Sequence, residues 1–130
     1  MLNNQLYRFM KKFLVCAVLT FLIACGDSRD PGEVAVLFND ALSAGNIDQA
    51  KEYCSEETVQ ALELVGGMME MMSDSMREAS MNKKYIFIRD SIEGERAWVW
   101  IKETDNPNAP EEMAELIKVD GKWKVVFSKN

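Results

Sequence analysis

Residues 85–102 read YIFIRDSIEGERAWVWIK, two runs rich in β-branched and aromatic residues on either side of Glu93-Gly94. Runs of that composition around a turn dipeptide predict a β-hairpin. With Glu93 and Gly94 as the two central turn residues, Ile92 pairs with Glu95, Asp90 with Ala97, Ile88 with Val99 and Ile86 with Ile101. Facing residues of an antiparallel pair lie on one side of the sheet, so this register makes one face aliphatic away from the turn. The other face carries Tyr85, Phe87, Arg89, Arg96, Trp98, Trp100 and Lys102. A slip by one residue would mix the two sets, and the alternation selects this register.

Downstream, EMAELIKV (112–119) and KWKVVFS (122–128) flank Asp120-Gly121, a strong two-residue turn signal. That turn pairs Lys118 with Trp123, Leu116 with Val125 and Ala114 with Phe127. The proline- and asparagine-rich stretch 106–110 separates the two hairpins, which gives a four-stranded antiparallel meander. Upstream the period changes. Asp30 and Pro31 form a helix start, with Val34, Leu37, Phe38, Ala41 and Leu42 on one stripe and Gly45 at the end. Asn46 caps a second helix whose Ile47, Ala50 and Cys54 share a side, so Cys54 is expected to be a buried, inert thiol. Ser55 opens a third helical stretch to about Ala79. Helices followed by a meander define an α+β domain.

The stretch DPGEVAVLFNDALSAGNIDQAKEYCSEET (30–58) and the closing IKVDGKWKVVF (117–127) resemble the nuclear transport factor 2-like domains, in particular lipoprotein families of that superfamily. The resemblance implies three N-terminal helices packed on a curved four-stranded antiparallel sheet, a cone that can hold a pocket. Some relatives are isomerases or dehydratases and many are non-catalytic binding or dimerisation modules. No motif here allows a catalytic residue to be carried over.

The N-terminus makes a separate statement. Lys11 and Lys12 precede the uncharged run FLVCAVLTFLIA (13–24), and Cys25 follows. A basic segment, a short apolar run and small residues before a cleavage point are the parts of a secretory signal. The run falls short of the roughly 20 apolar residues that span a bilayer. LIAC (22–25) resembles the bacterial lipobox, which implies cleavage before Cys25, a diacylglycerol on its sulfur and an acyl chain on its amine. Gly26 rather than aspartate follows, which in such proteins permits outer-membrane delivery. The expected organisation is therefore a signal peptide at 1–24, a lipidated N-terminus and linker at 25–30, and the domain at 31–130. Met10 opens a complete signal by itself and is an alternative start.

The whole chain has 15 basic and 21 acidic side chains, a formal charge of −6. Residues 1–24 hold three of the cations (Arg8, Lys11, Lys12) and no carboxylate, leaving 12 against 21, or −9. An acidic domain is a poor match for nucleic acid. Cys16 leaves with the signal and Cys25 is modified, so Cys54 has no partner for a disulfide. The sequence contains no histidine. That removes Ser-His-Asp and Cys-His catalysis and histidine-ligated zinc. No metal and no cofactor is expected beyond the covalent lipid on Cys25.

Three functional readings follow. The first is a lipid-anchored envelope protein with a non-catalytic binding domain, for which Tyr85, Phe87, Arg89, Trp98 and Trp100 form the ligand or partner surface. Its partners would be the membrane, a second copy or another envelope protein. The second is an isomerase or hydratase using a buried carboxylate. The third is copper(I) binding by GGMMEMMSDSM (66–76), with five methionines in eleven residues. On a continuous helix Met68, Met69, Met72 and Met76 extend the stripe of Ala61, Leu62 and Val65, which predicts that they pack the core.

Overall fold

The computed structural model describes residues 28–127. The signal segment, Cys16, the lipobox and Cys25 lie outside the described residues. Four helices precede four strands: α1 Pro31–Ser43, α2 Ile47–Glu52, α3 Glu56–Glu70, α4 Asp74–Ser80, then β1 Tyr85–Glu93, β2 Arg96–Glu103, β3 Glu111–Val119 and β4 Lys122–Val126. The α+β class and the antiparallel meander are as the sequence predicts, with the sheet ordered β1-β2-β3-β4.

Helix α1 begins where its chemistry dictates. The Asp30 carboxylate accepts the Glu33 backbone N–H at 2.8 Å, and Pro31 occupies the first turn, where an N–H is not needed. At the other end Gly45 adopts φ +73°. Its N–H reaches the Leu42 carbonyl at 3.0 Å, and the Asn46 N–H reaches the Ala41 carbonyl at 2.9 Å. That pair of bonds is a Schellman closure, for which a left-handed residue is needed. Asn46 then caps α2 through the Gln49 N–H.

Val34, Ala35, Phe38 and Ala41 of α1 meet Ala97, Val99, Ile101, Leu116 and Val125 of the sheet, with Leu62 of α3 closing the core. Full burial of a side chain such as Leu116 contributes about 1.5–3 kcal/mol. Helix α3 joins that core only through its first half, where Thr58 and Leu62 are its buried residues. Thr58 also ties α3 to the end of β4: its hydroxyl accepts the Phe127 N–H at 3.1 Å and lies 3.0 Å from the Ser55 hydroxyl.

The third helical stretch is not continuous to Ala79. It runs unbroken through Gly66 and Gly67, ends at Glu70, and restarts after Ser73, whose extended backbone (φ −64°, ψ 152°) opens α4. Arg77 of α4 folds back and donates to the Met69 and Glu70 carbonyls at 3.2 and 3.4 Å, covering the end of α3. The second half of α3 and all of α4 therefore overhang the sheet. Of the methionines expected on the core stripe, Met68 and Met76 are exposed and Met69 and Met72 are half-buried; Met71, off that stripe, is 88% exposed. The core role expected for the methionines does not hold: α3 has no buried residue beyond Leu62, so Met68 is exposed within the unbroken helix, and Met76 stands on the separate α4, which has none.

The β3–β4 hairpin has the predicted register, with Lys118 opposite Trp123 and Leu116 opposite Val125. Both turn residues take positive φ, 51° at Asp120 and 78° at Gly121, as a type I′ turn demands. The β1–β2 hairpin differs from the sequence expectation. Its turn is Gly94-Glu95, with Glu93 opposite Arg96, Ile92 opposite Ala97 and Asp90 opposite Val99. Of these two only Gly94 has positive φ, the pattern of a II′ turn with glycine first. A bulge between Phe87 and Arg89 then shifts the register again, so that Phe87 faces Ile101 and Tyr85 faces Glu103. One extra residue in a strand reverses which side the following residues occupy. Tyr85 and Phe87 consequently turn toward the helices and Ile86 turns away from them.

The two edges of the sheet are treated differently. At β4, the segment 53–55 lies alongside as a short parallel bridge. The Val125 N–H donates to the Tyr53 carbonyl at 2.8 Å, and the Ser55 N–H to the Val125 carbonyl at 2.9 Å. At β1, no strand of the described residues pairs beyond it.

Candidate functional site

The five residues expected to form one surface divide between two. Arg89, Trp98 and Trp100 stand on the outer face of the sheet, away from the helices. Tyr85 packs against the core on the inner side. Phe87 lies against the start of α1, so close that a Cβ on Gly32 would fall 2.6 Å from its ring. The bulge is the cause.

On the outer face, alternation on β3 brings Glu111, Met113, Glu115 and Ile117 beside the tryptophans, with Trp98 opposite Glu115 and Trp100 opposite Met113. The Arg89 guanidinium sits 4.6 Å from the Trp100 ring centre and pairs with Glu111 at 2.5 Å. Arg96 lies 5.7 Å from the Trp98 ring and pairs with Glu115. Each indole is thus flanked by a cation that a β3 carboxylate holds in place. Such stacks fix the arginine side chains and leave an amphipathic surface of rings, guanidinium planes and exposed Met113 and Ile86. The glutamates and Met113 were legible from the odd-numbered alternation along EEMAELIKV.

The inner side offers a different site. Between the start of α1 and the outer edge of β1 lies a cleft of about 600 Å³ whose apolar walls are Val36, Leu37, Phe87 and Ile92. Asp30, Glu33 and Asp90 stand around it. Alternation alone did not reveal it, since it exists because the bulge turns Phe87 inward. A second cleft of about 580 Å³ lies where α3 and α4 overhang α2, with Met69, Met72 and Met81 in its wall beside Lys51, Glu63 and Arg77.

The cone interior itself is filled by aliphatic and aromatic side chains, and its buried polar residues are Ser43, Ser55 and Thr58. Among the described residues no Asp or Glu is buried, and no group of His, Cys, Asp and Glu is placed to hold a metal. Glu103, which faces Tyr85 across the β1–β2 pair, is paired with Lys83 at 3.1 Å, and that hydrogen bond raises the lysine pKa. Burial pushes the Tyr85 phenol up, helped by the charge of Glu112.

Cys54 is buried, and its thiol donates to the Lys51 carbonyl at 3.6 Å. Burial raises its pKa above the ordinary 9.0, against smaller opposing effects from Lys124, its backbone hydrogen bond and Lys51. The thiolate is therefore disfavoured, and slow reaction with thiol reagents that accelerates on denaturation is expected. The sign of the pH effect follows. Above the ordinary thiol range the unfolded chain loses this proton before the folded one does, so stability falls as pH rises. The stability difference between the native chain and Cys54→Ala should shrink between about pH 8 and about pH 10, measured by urea denaturation.

These features define an α+β domain, and its fold is NTF2-like. A structure from Campylobacter jejuni described as a "Putative NTF2-like transpeptidase" superposes with a TM-score of 0.52, at 18% identity, covering 77% of this chain and 100% of that one. The chain belongs to the family described as "Domain of unknown function (DUF4878)", which it matches over residues 23–126. Comparison with curated proteins gives no match.

Proposed function

We propose that the protein is a binding module of the bacterial cell envelope, anchored by lipid on Cys25, that meets a protein partner through the outer face of its sheet. The observation that carries this reading is the outer face of the sheet, which no helix of the described residues covers: α1 packs on the opposite side, and Trp98, Trp100, Arg89 and Met113 face away from it. Tryptophan, arginine and methionine are the residues enriched where proteins meet. LIAC at 22–25 and the polar linker after it support the anchor. Among the described residues no helix is long and apolar enough to cross a membrane, so the lipid is the attachment this reading needs. Gly26 in place of aspartate after Cys25 permits the outer-membrane placement that this reading adopts.

A photo-crosslinking residue in place of Met113, in the membrane-bound full-length chain, tests the contact. One discrete adduct is expected, either with a second copy or with one envelope protein, and it should disappear when Trp98→Ala is added. The same probe at Leu64, on the helix side, should give none. Equal adducts from both positions would sink the proposal.

A further inference from the structure

From the open edge of β1 and the cleft beside it, we infer that the protein binds an extended peptide segment by strand addition, and that this segment carries a cation between two apolar residues. Natural sheets shield their edges, because unpaired N–H and C=O groups recruit any compatible strand. This chain shields β4 with residues 53–55. Along the nine-residue β1 the Tyr85 N–H is held by the Asp40 carboxylate at 3.0 Å, and beyond it no strand of the described residues pairs with the edge, which bears exposed Ile86, Phe87, Ile88 and Ile92.

The cleft specifies what pairs there. A strand laid antiparallel on β1 directs alternate side chains to the inner side, where they stand beside Ile92, Asp90 and Phe87 in turn. The outer two of these positions open onto the apolar walls formed with Val36 and Leu37. The middle one faces carboxylates. Asp90 has no ion-pair partner among the described residues. Asp30 caps α1, and Glu33 is 3.6 Å from Arg29. An incoming lysine or arginine therefore meets an unneutralised Asp90 with a second carboxylate behind it. The pattern read from the edge is apolar-x-cation-x-apolar, in which main-chain hydrogen bonds supply affinity and the alternate side chains supply selection.

The peptide acetyl-Thr-Ile-Thr-Lys-Thr-Ile-Thr-amide is the probe, titrated into the full-length chain in detergent micelles and followed by backbone chemical shifts. Saturable binding at about millimolar peptide is expected, with shifts confined to 87–93 and the first turns of α1. Replacing the central lysine by glutamate should weaken binding about tenfold, and Asp90→Lys should reverse that preference. Asp90 is exposed, so the variant should keep the fold, which the unchanged core shifts would verify. N-methylation of alternate peptide amides should abolish binding, since it removes the edge hydrogen bonds. Absence of binding, indifference to N-methylation, or the same charge preference in Asp90→Lys would overturn the inference. Concentration-dependent shifts of β1 without peptide would overturn it too, because a second copy would then hold the edge.

Discussion

Cys25→Ala is expected to abolish labelling of the protein by radioactive fatty acid and to move every chain whose leader has been removed from the membrane fraction to the soluble fraction. The thiol is the only group at that position able to form the thioether with diacylglycerol, so alanine removes the first step and every later one. The size of the effect follows from transfer energetics. Each buried methylene contributes about 0.8 kcal/mol, and a single acyl chain binds bilayers with a constant of only about 10⁴ M⁻¹, so permanence requires several chains on one residue. Nothing among the described residues substitutes for them, since no helix there can span a bilayer. Retention of the leader-free variant at the membrane without lipid label would show a different anchor.

Leu62→Ala should strongly destabilise the folded domain. Leu62 is fully buried and is the one large apolar side chain of α3 in the core. Truncating such a leucine costs about 2–5 kcal/mol, the transfer of its methyl groups plus the cavity left behind. In a domain of this size each kcal/mol lowers the thermal midpoint by about 4–8 °C, so a fall of at least about 8 °C is expected. Leu64→Ala is the matched control. Two residues along the same helix, Leu64 is 68% exposed, and its loss should stay within about 0.5 kcal/mol. Equal destabilisation by both would mean that α3 is docked on a different face.

The sequence was most legible where backbone chemistry and side-chain pattern agree. Asp120-Gly121 needs two left-handed residues, aspartate and glycine are residues that tolerate this, and the register followed without ambiguity. The same held for Asp30, Gly45 and Asn46 at the helix ends. The first hairpin failed on two local points. Glu93-Gly94-Glu95 can place its glycine second in one turn or first in another, and the structure uses it first. The bulge at Ile88 leaves no trace in an alternating string of isoleucine and phenylalanine, yet it sorts Phe87 to one side and Ile86 to the other. The candidate surface divided at that bulge, with Arg89, Trp98 and Trp100 remaining together and Tyr85 and Phe87 leaving. The methionines misled differently, because periodicity shows which residues share a helix face and not whether anything packs on it. The helix stops at Glu70 and restarts after Ser73, and none of the residues beyond Leu62 in α3 or in α4 is buried.

The parallel bridge at 53–55 bears on assembly size. A sheet that is open at both sides can add neighbours in two directions and grow without limit, which is the geometry of fibres. With β4 stoppered by its own chain, each described domain can accept one strand and no more. Whatever engages β1, the product is a terminated pair rather than a filament. For a protein concentrated in the two dimensions of a membrane surface, that single stopper separates a receptor from a seed.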